Sequence, residues 1–187
     1  ETPEAIRTPD IDDALRFIEG ELRRIFDFYS PFMEAEGMGF DQYIRSTATV
    51  KLQDYCAIRC LCPDLATGPA QVDIGPGLGA NAIYSTGLLG ACYYALEAFP
   101  PSYVVQRLFF RAAAKGQAVY LDTVECENLE LEGSAISDQI NTVDKYKVKH
   151  VPSWHFELIE DESIDLISAT WVLNEVTPAG ISWLLAN

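Results

Sequence analysis

Residues 72–82 read Val72-Asp73-Ile74-Gly75-Pro76-Gly77-Leu78-Gly79-Ala80-Asn81-Ala82, and they carry the chemistry most legible in this chain. A short apolar run holds an acid two positions before the first of three alternating glycines, and a helix-like segment follows. Glycine lets the backbone turn sharply and lets a ligand approach without meeting a Cβ. Glu97 ends the next apolar run, Gly90-Ala91-Cys92-Tyr93-Tyr94-Ala95-Leu96. An acid at the tip of a second strand suits a ribose diol. Together these residues describe a nucleoside-cofactor site at the carboxyl ends of parallel strands.

Two ligands fit that description. Gly75, Gly77 and Ala80 satisfy G-x-G-x-x-[GA], and Glu97 follows Gly75 by 22 positions, which also suits a dinucleotide. Asp73 separates the two. A dinucleotide sets its pyrophosphate on the glycine turn and helix N-terminus. A carboxylate about 6 Å from a phosphate charge costs roughly 3 kcal/mol at an effective dielectric near 20. The same carboxylate favours a ligand bearing an ammonium and a sulfonium. An alternative without any ligand is a plain strand–turn–helix corner in which Asp73 caps nearby amides.

The remaining composition narrows the classes. The net charge is −15, with no cluster of Lys and Arg, which argues against nucleic acid and against an anionic membrane surface. No apolar run approaches a bilayer span. Apolar residues make up 49 %, and 187 residues suffice for one domain with a core. The five cysteines form no C-x-x-C pair, and His150 and His155 are the only histidines. No metal site is expected, and the cysteines read as buried thiols of a cytoplasmic protein.

The elements that position the motif follow from periodicity. Ile11, Leu15, Ile18, Leu22, Ile25 and Tyr29 form one helical stripe, which either packs on its own domain or seams a homodimer. Phe32 to Gly39 reads as a loop. A second helix is expected from Ser46 or Thr47 to about Cys62, burying Val50, Tyr55, Ile58 and Cys62. Tyr43 and Arg45 then lie between the helices. Arg45 either reaches a ligand carboxylate or is solvated. A helix from Ser102 to about Lys115 carries Val104, Val105, Leu108, Phe109 and Ala112. Residues 117–146 alternate acids with apolar residues and read as an extra helix, a hairpin, a lid or a solvated insertion. Strands are expected at 70–74, 91–96, 148–154 and 164–168. His150 reads as a structural histidine, and His155 is not taken as a base. Thr177-Pro178 opens a last helix.

Val72-Asp73-Ile74-Gly75-Pro76-Gly77-Leu78-Gly79 resembles the first motif of class I S-adenosylmethionine-dependent methyltransferases. Glu97 is similar to the family's ribose-binding acid. Glu160 to Ser168 resembles the run into its fourth strand, and Ala169 to Val176 the loop after it, which faces the transferred methyl. The Gly-Pro-Gly variant and Leu173-Asn174-Glu175 resemble, more loosely, a branch of sugar O-methyltransferases. The resemblance covers about residues 70–185. It implies an α/β, Rossmann-like sheet over residues 69–187 with an N-terminal helical cap over 1–68. It further implies S-adenosyl-L-methionine as cofactor and a small-molecule acceptor. Asp73, Gly75, Pro76, Gly77, Gly79 and Asn81 would hold the methionine end, Glu97 the ribose, Ser153 and Trp154 the adenine, and Thr170 the loop facing the methyl. Asn174 or Glu175 would orient or deprotonate the acceptor; their alternative role is helix-start capping. Trp154 is equally readable as core. A family sheet has seven strands, whereas four are legible here, so the expectation is a fragment or an unobserved C-terminal half. A non-catalytic interaction domain and a nicotinamide-dependent dehydrogenase are the competing functions.

Overall fold

The computed structural model describes residues 10–29, 40–121, 146–159, 162–170, 179 and 182. Helix α1 runs Ile11–Tyr29 and α2 Phe40–Leu61. Strand β1 (Ala70–Ile74), helix α3 (Asn81–Gly87), strand β2 (Cys92–Glu97) and helix α4 (Pro100–Ala113) follow. Strands β3 (Ala118–Tyr120), β4 (Val148–Pro152) and β5 (Leu166–Ser168) complete the order, with a 3-10 turn at Ser153–Leu158.

The five strands form one parallel sheet in the order β3-β4-β2-β1-β5. This is an α/β architecture compatible with a Rossmann-like fold. From β1 the chain places β2, then β3 at the edge and β4 between them on one side, and β5 then returns to the other side of β1. Such a reversal opens a crevice outside the carboxyl ends of the strands, where ligands of open parallel sheets bind.

One face of the sheet, with Tyr93 of β2 and Val148 of β4, packs against helices α1, α2, α3 and α4 in a continuous core that includes Ala14, Ile18, Leu22, Ile25, Ile44 and Phe110. The stripe of α1 is therefore used inside the chain, although its first member, Ile11, is exposed. Arg24 fastens α1 to α4 by donating to the carbonyls of Ala112 (2.9 Å) and Ala113 (3.3 Å). The second face gathers Val72, Tyr94, Leu96, Leu121 and Val151.

Several expectations are corrected. Helix α2 begins at Phe40, so Tyr43 and Arg45 lie within it rather than between helices. Ser46 does not cap it: its hydroxyl donates to the Tyr43 carbonyl (3.0 Å), and Thr49 likewise bonds Arg45 (2.8 Å). Its deepest residues are Ile44, Ala48 and Tyr55. On α4, Val104, Val105 and Leu108 are exposed, while Tyr103, Gln106 and Phe110 face the core. Part of the acidic 117–146 stretch is a strand, β3, at the edge beside β4; residues 122–145 lie outside the described residues. The third expected strand stops at Pro152, which puts Ser153 and Trp154 in the 3-10 turn. Cys60 is exposed and Cys56, Cys62 and Cys92 are half-buried, so the thiols are not a buried set; Cys126 lies outside the described residues. The helix expected after Thr177 is also outside them, apart from residues 179 and 182. Among the described residues no helix is long and apolar enough to cross a membrane.

Candidate functional site

The glycine loop leaves β1 and reaches α3 with Gly75, Gly77 and Gly79 all at positive φ (62°, 62° and 86°), a region L side chains rarely adopt. The last two glycines do different work. A Cβ on Gly79 would come within 2.6 Å of the Phe110 ring, so this glycine lets the loop press onto α4. A Cβ on Gly77 would meet nothing within 4 Å, so this position is open to an approaching ligand. Pro76, between Gly75 and Gly77, is buried.

Beside the loop lies a pocket of about 330 Å3 between the glycine turn, helix α2 and the end of β5. Gly75, Pro76, Gly77, Leu78, Ala80 and Asn81 form one wall and Thr170 another. Helix α2 supplies the third with Tyr43, Ser46, Thr47, Val50 and Lys51, one helical face at spacings of three and four. The pocket thus sits at the sheet's reversal point.

Its floor is a buried polar network. Asp73 is fully buried, and its Oδ2 accepts from Asn81 Nδ2 (2.8 Å) and the Tyr93 hydroxyl (2.6 Å). Its Oδ1 accepts from Ser168 Oγ (2.9 Å), which also receives a bond from Gln71 (2.9 Å). Burial pushes the Asp73 carboxyl above its ordinary value, while the bonds from Tyr93, Asn81 and Ser168 and the charge of Lys51 pull the other way. Burial and the neighbouring Asp73 charge raise the Tyr93 phenol well above its ordinary range, so it remains a donor. Asp73 does not line the pocket; it acts on it through Asn81. Asn81 is 1 % exposed, and its second amide hydrogen goes to Thr170 Oγ1 (3.0 Å). Its Oδ1 has no partner among the described residues. A buried acceptor left unmade costs about 1–3 kcal/mol, which a bound donor would recover.

Lys51 is a pocket residue that the sequence reading missed. Its ammonium pairs with Asp54 at 2.8 Å, and the two side chains are only 13 % and 14 % exposed. The signal was available as a Thr47–Lys51 helical step facing the loop, but it becomes legible only once α2 is packed. Arg45, the sequence candidate for that role, is exposed and absent from the pocket wall.

Glu97 ends β2, on the other side of the loop. It is buried, and Oε1 accepts from the amides of Ala98 (2.9 Å) and Phe99 (2.8 Å), at the start of α4. Gln106 Nε2 donates both to Glu97 Oε2 (2.6 Å) and to the Gly77 carbonyl (2.7 Å). Gln106 was not foreseen as functional. Glu97 pairs across the sheet with Pro152, which places Ser153 and Trp154 just beyond it. Ser153 is half-buried and Trp154 is 51 % exposed, so Trp154 is not core. Leu78, Phe99 and Trp154 follow the ends of three adjacent strands as exposed apolar side chains. The structure therefore brings Gly75, Pro76, Gly77, Asn81 and Thr170 into one pocket. Glu97 is tied to its rim through Gln106. Asn174 and Glu175 lie outside the described residues. Among the described residues no group of three His, Cys, Asp or Glu is arranged to hold a metal.

No protein-family model, no curated protein and no solved structure matches this chain. Its geometry and the sequence motifs together carry the functional argument.

Proposed function

We propose that this chain binds S-adenosyl-L-methionine across the glycine loop and serves methyl transfer to a small-molecule hydroxyl. The observation that carries the reading is Asn81: a buried amide whose hydrogens are fixed by Asp73 and Thr170, and whose buried oxygen has no partner among the described residues, in the wall of a pocket beside an open glycine. An acceptor backed by a carboxylate suits an ammonium. Lys51, on the facing wall, suits a carboxylate. The pocket thus offers both halves of an amino-acid end, while Glu97 offers a ribose partner and the exposed Trp154 an indole face for a purine ring.

The fit extends to charge. The bound cofactor supplies an electrophilic methyl on a sulfonium, and the Asp73 network puts negative charge under that end of the loop. What the chain contributes is orientation, because an aligned nucleophile close to the methyl removes much of the entropic barrier. The base for the acceptor hydroxyl falls to Asn174 or Glu175, by resemblance alone, and the sugar assignment rests on that resemblance too. A dinucleotide fits less well: α3 has only seven residues, so its N-terminus is a weak seat for a pyrophosphate.

Calorimetric titration with S-adenosylhomocysteine, and with NAD in parallel, tests the reading. Micromolar binding of the first alone is expected. Binding of NAD alone would move the site to the dehydrogenase reading, and binding of neither by a folded sample would leave an interaction domain.

A further inference from the structure

The Glu97 carboxylate is nearly saturated before any ligand arrives. A carboxylate has about four acceptor positions. Two on Oε1 are taken by the Ala98 and Phe99 amides, and one on Oε2 by Gln106. Among the described residues one position, on Oε2, is left.

Gln106 is locked in the orientation that does this. It is fully buried, and Nε2 faces two groups that can only accept, Glu97 Oε2 and the Gly77 carbonyl. Its Oε1 therefore faces His150 Nε2 at 2.9 Å, and that nitrogen must carry the hydrogen. The imidazole is held flat against Tyr103, with ring centroids 3.7 Å apart. Burial, with a smaller contribution from the charge of Arg107, lowers the His150 pKa to about 3, so the ring stays neutral near pH 7. Reversing the Gln106 amide would set its oxygen against a carboxylate and a carbonyl and its NH2 against an N–H.

We propose that Gln106 is a positioning residue that restricts Glu97 to a single ribose hydroxyl, so that the site distinguishes the 2′ from the 3′ hydroxyl of its nucleoside ligand. The inference rests on the cofactor reading above. A diol gripped at both oxygens would need two free acceptor positions on Glu97, and Gln106 occupies one of them. Because the same amide holds the Gly77 carbonyl, the glycine turn and the ribose acid are set in one register.

The test compares S-adenosylhomocysteine with its 2′-deoxy and 3′-deoxy counterparts by calorimetry. In the unsubstituted chain one analogue should bind on the order of tenfold more weakly than the parent ligand, and the other within about twofold of it. In Gln106→Met the two analogues should converge to within about twofold, a change of pattern that a general loss of stability would not produce. Equal losses for both analogues in the unsubstituted chain, or a gap that survives Gln106→Met, would overturn the proposal while leaving the cofactor reading intact. No loss for either would remove the ribose role of Glu97 as well. Failure of S-adenosylhomocysteine itself to bind would remove the cofactor reading and this inference with it. Should Gln106→Met not fold, the Gln106 side-chain amide resonance of the unsubstituted chain decides. It should shift with the tolerated analogue as with the parent ligand and stay unmoved by the other; an equal response to both analogues overturns the proposal.

Discussion

The two ends of the glycine loop are built on opposite principles. Toward α2 the loop borders an open pocket whose wall holds Asn81, with its Oδ1 unpartnered among the described residues, and Lys51, a largely buried cation paired with Asp54. Toward α4 it is closed: Gly79 lies against Phe110, and Gln106 ties Gly77 to Glu97 and His150. One side borders an open pocket, and the other has spent most of its capacity internally, with His150 Nδ1 left without a partner among the described residues. The contrast teaches that a ligand gains most at the α2 end and is placed, rather than strongly held, at the α4 end.

The sharpest way to break the contrast is to remove the floor of the open end. Asp73→Ala strands the Tyr93 hydroxyl and one Asn81 hydrogen, leaves the Ser168 hydroxyl only the longer bond to the Val72 carbonyl (3.4 Å), and should cost about 3 kcal/mol or more of stability in urea unfolding. A loss below about 1 kcal/mol would show that the network is not a structural unit. Next come the glycines. Gly79→Ala drives a methyl into the Phe110 ring at positive φ and should cost about 2–4 kcal/mol. Gly77→Ala meets no neighbour, so it should cost only about 1–2 kcal/mol in stability yet weaken S-adenosylhomocysteine disproportionately. Equal effects on both properties would erase the distinction.

The closed end has its own signature in pH. His150 has a lowered pKa of about 3, so between that value and its ordinary value near 6.5 the unfolded chain binds the extra proton. Its contribution to stability is therefore full above about pH 6.5 and falls by about 1.4 kcal/mol per pH unit on acidification, until pH reaches about 3. Asp73, raised by burial, works in the opposite sense, because the folded state holds its proton more tightly. Comparing stability at pH 7 and pH 5, His150→Phe should flatten the acid decline, and Asp73→Asn should remove the opposing gain that develops as pH falls toward the ordinary carboxyl range. The smallest effects separate two cations of α2: Lys51→Gln should weaken S-adenosylhomocysteine by about tenfold, and Arg45→Ala, on an exposed position, should leave it unchanged.

What could be read in the sequence divides along the same line. The glycine loop, Glu97, the positions of β1, β2 and β5, and the span of α1 were legible because local patterns dictate them: turns need glycine, and buried parallel strands read as apolar runs. The face of α4 was only partly legible: Phe109 and Ala112 are buried as expected, but the buried stripe also contains a glutamine. Apolar periodicity passes over Gln106 and selects Val104, Val105 and Leu108, which are exposed. Only the tertiary partners of the amide, Glu97, Gly77 and His150, reveal why a polar side chain lies inside. The start of α2 was missed for a related reason: the hydroxyls of Ser46 and Thr49 bond back to helix carbonyls instead of capping. Strand β3, three residues long in an acidic context, is fixed by pairing with β4 rather than by its own pattern. Lys51 is polar and unremarkable in isolation, and gains meaning only from the loop it faces.

Amide and indole shift mapping with S-adenosylhomocysteine tests the central claim most directly, because it asks where on the molecule the ligand sits. The account predicts shifts at Gly77, the Asn81 side-chain amide, Thr170 and the Trp154 indole, with little change around Glu21, Lys115 and Lys147 at the opposite end of the strands. Shifts confined to that opposite end, or none in a folded sample, would contradict it.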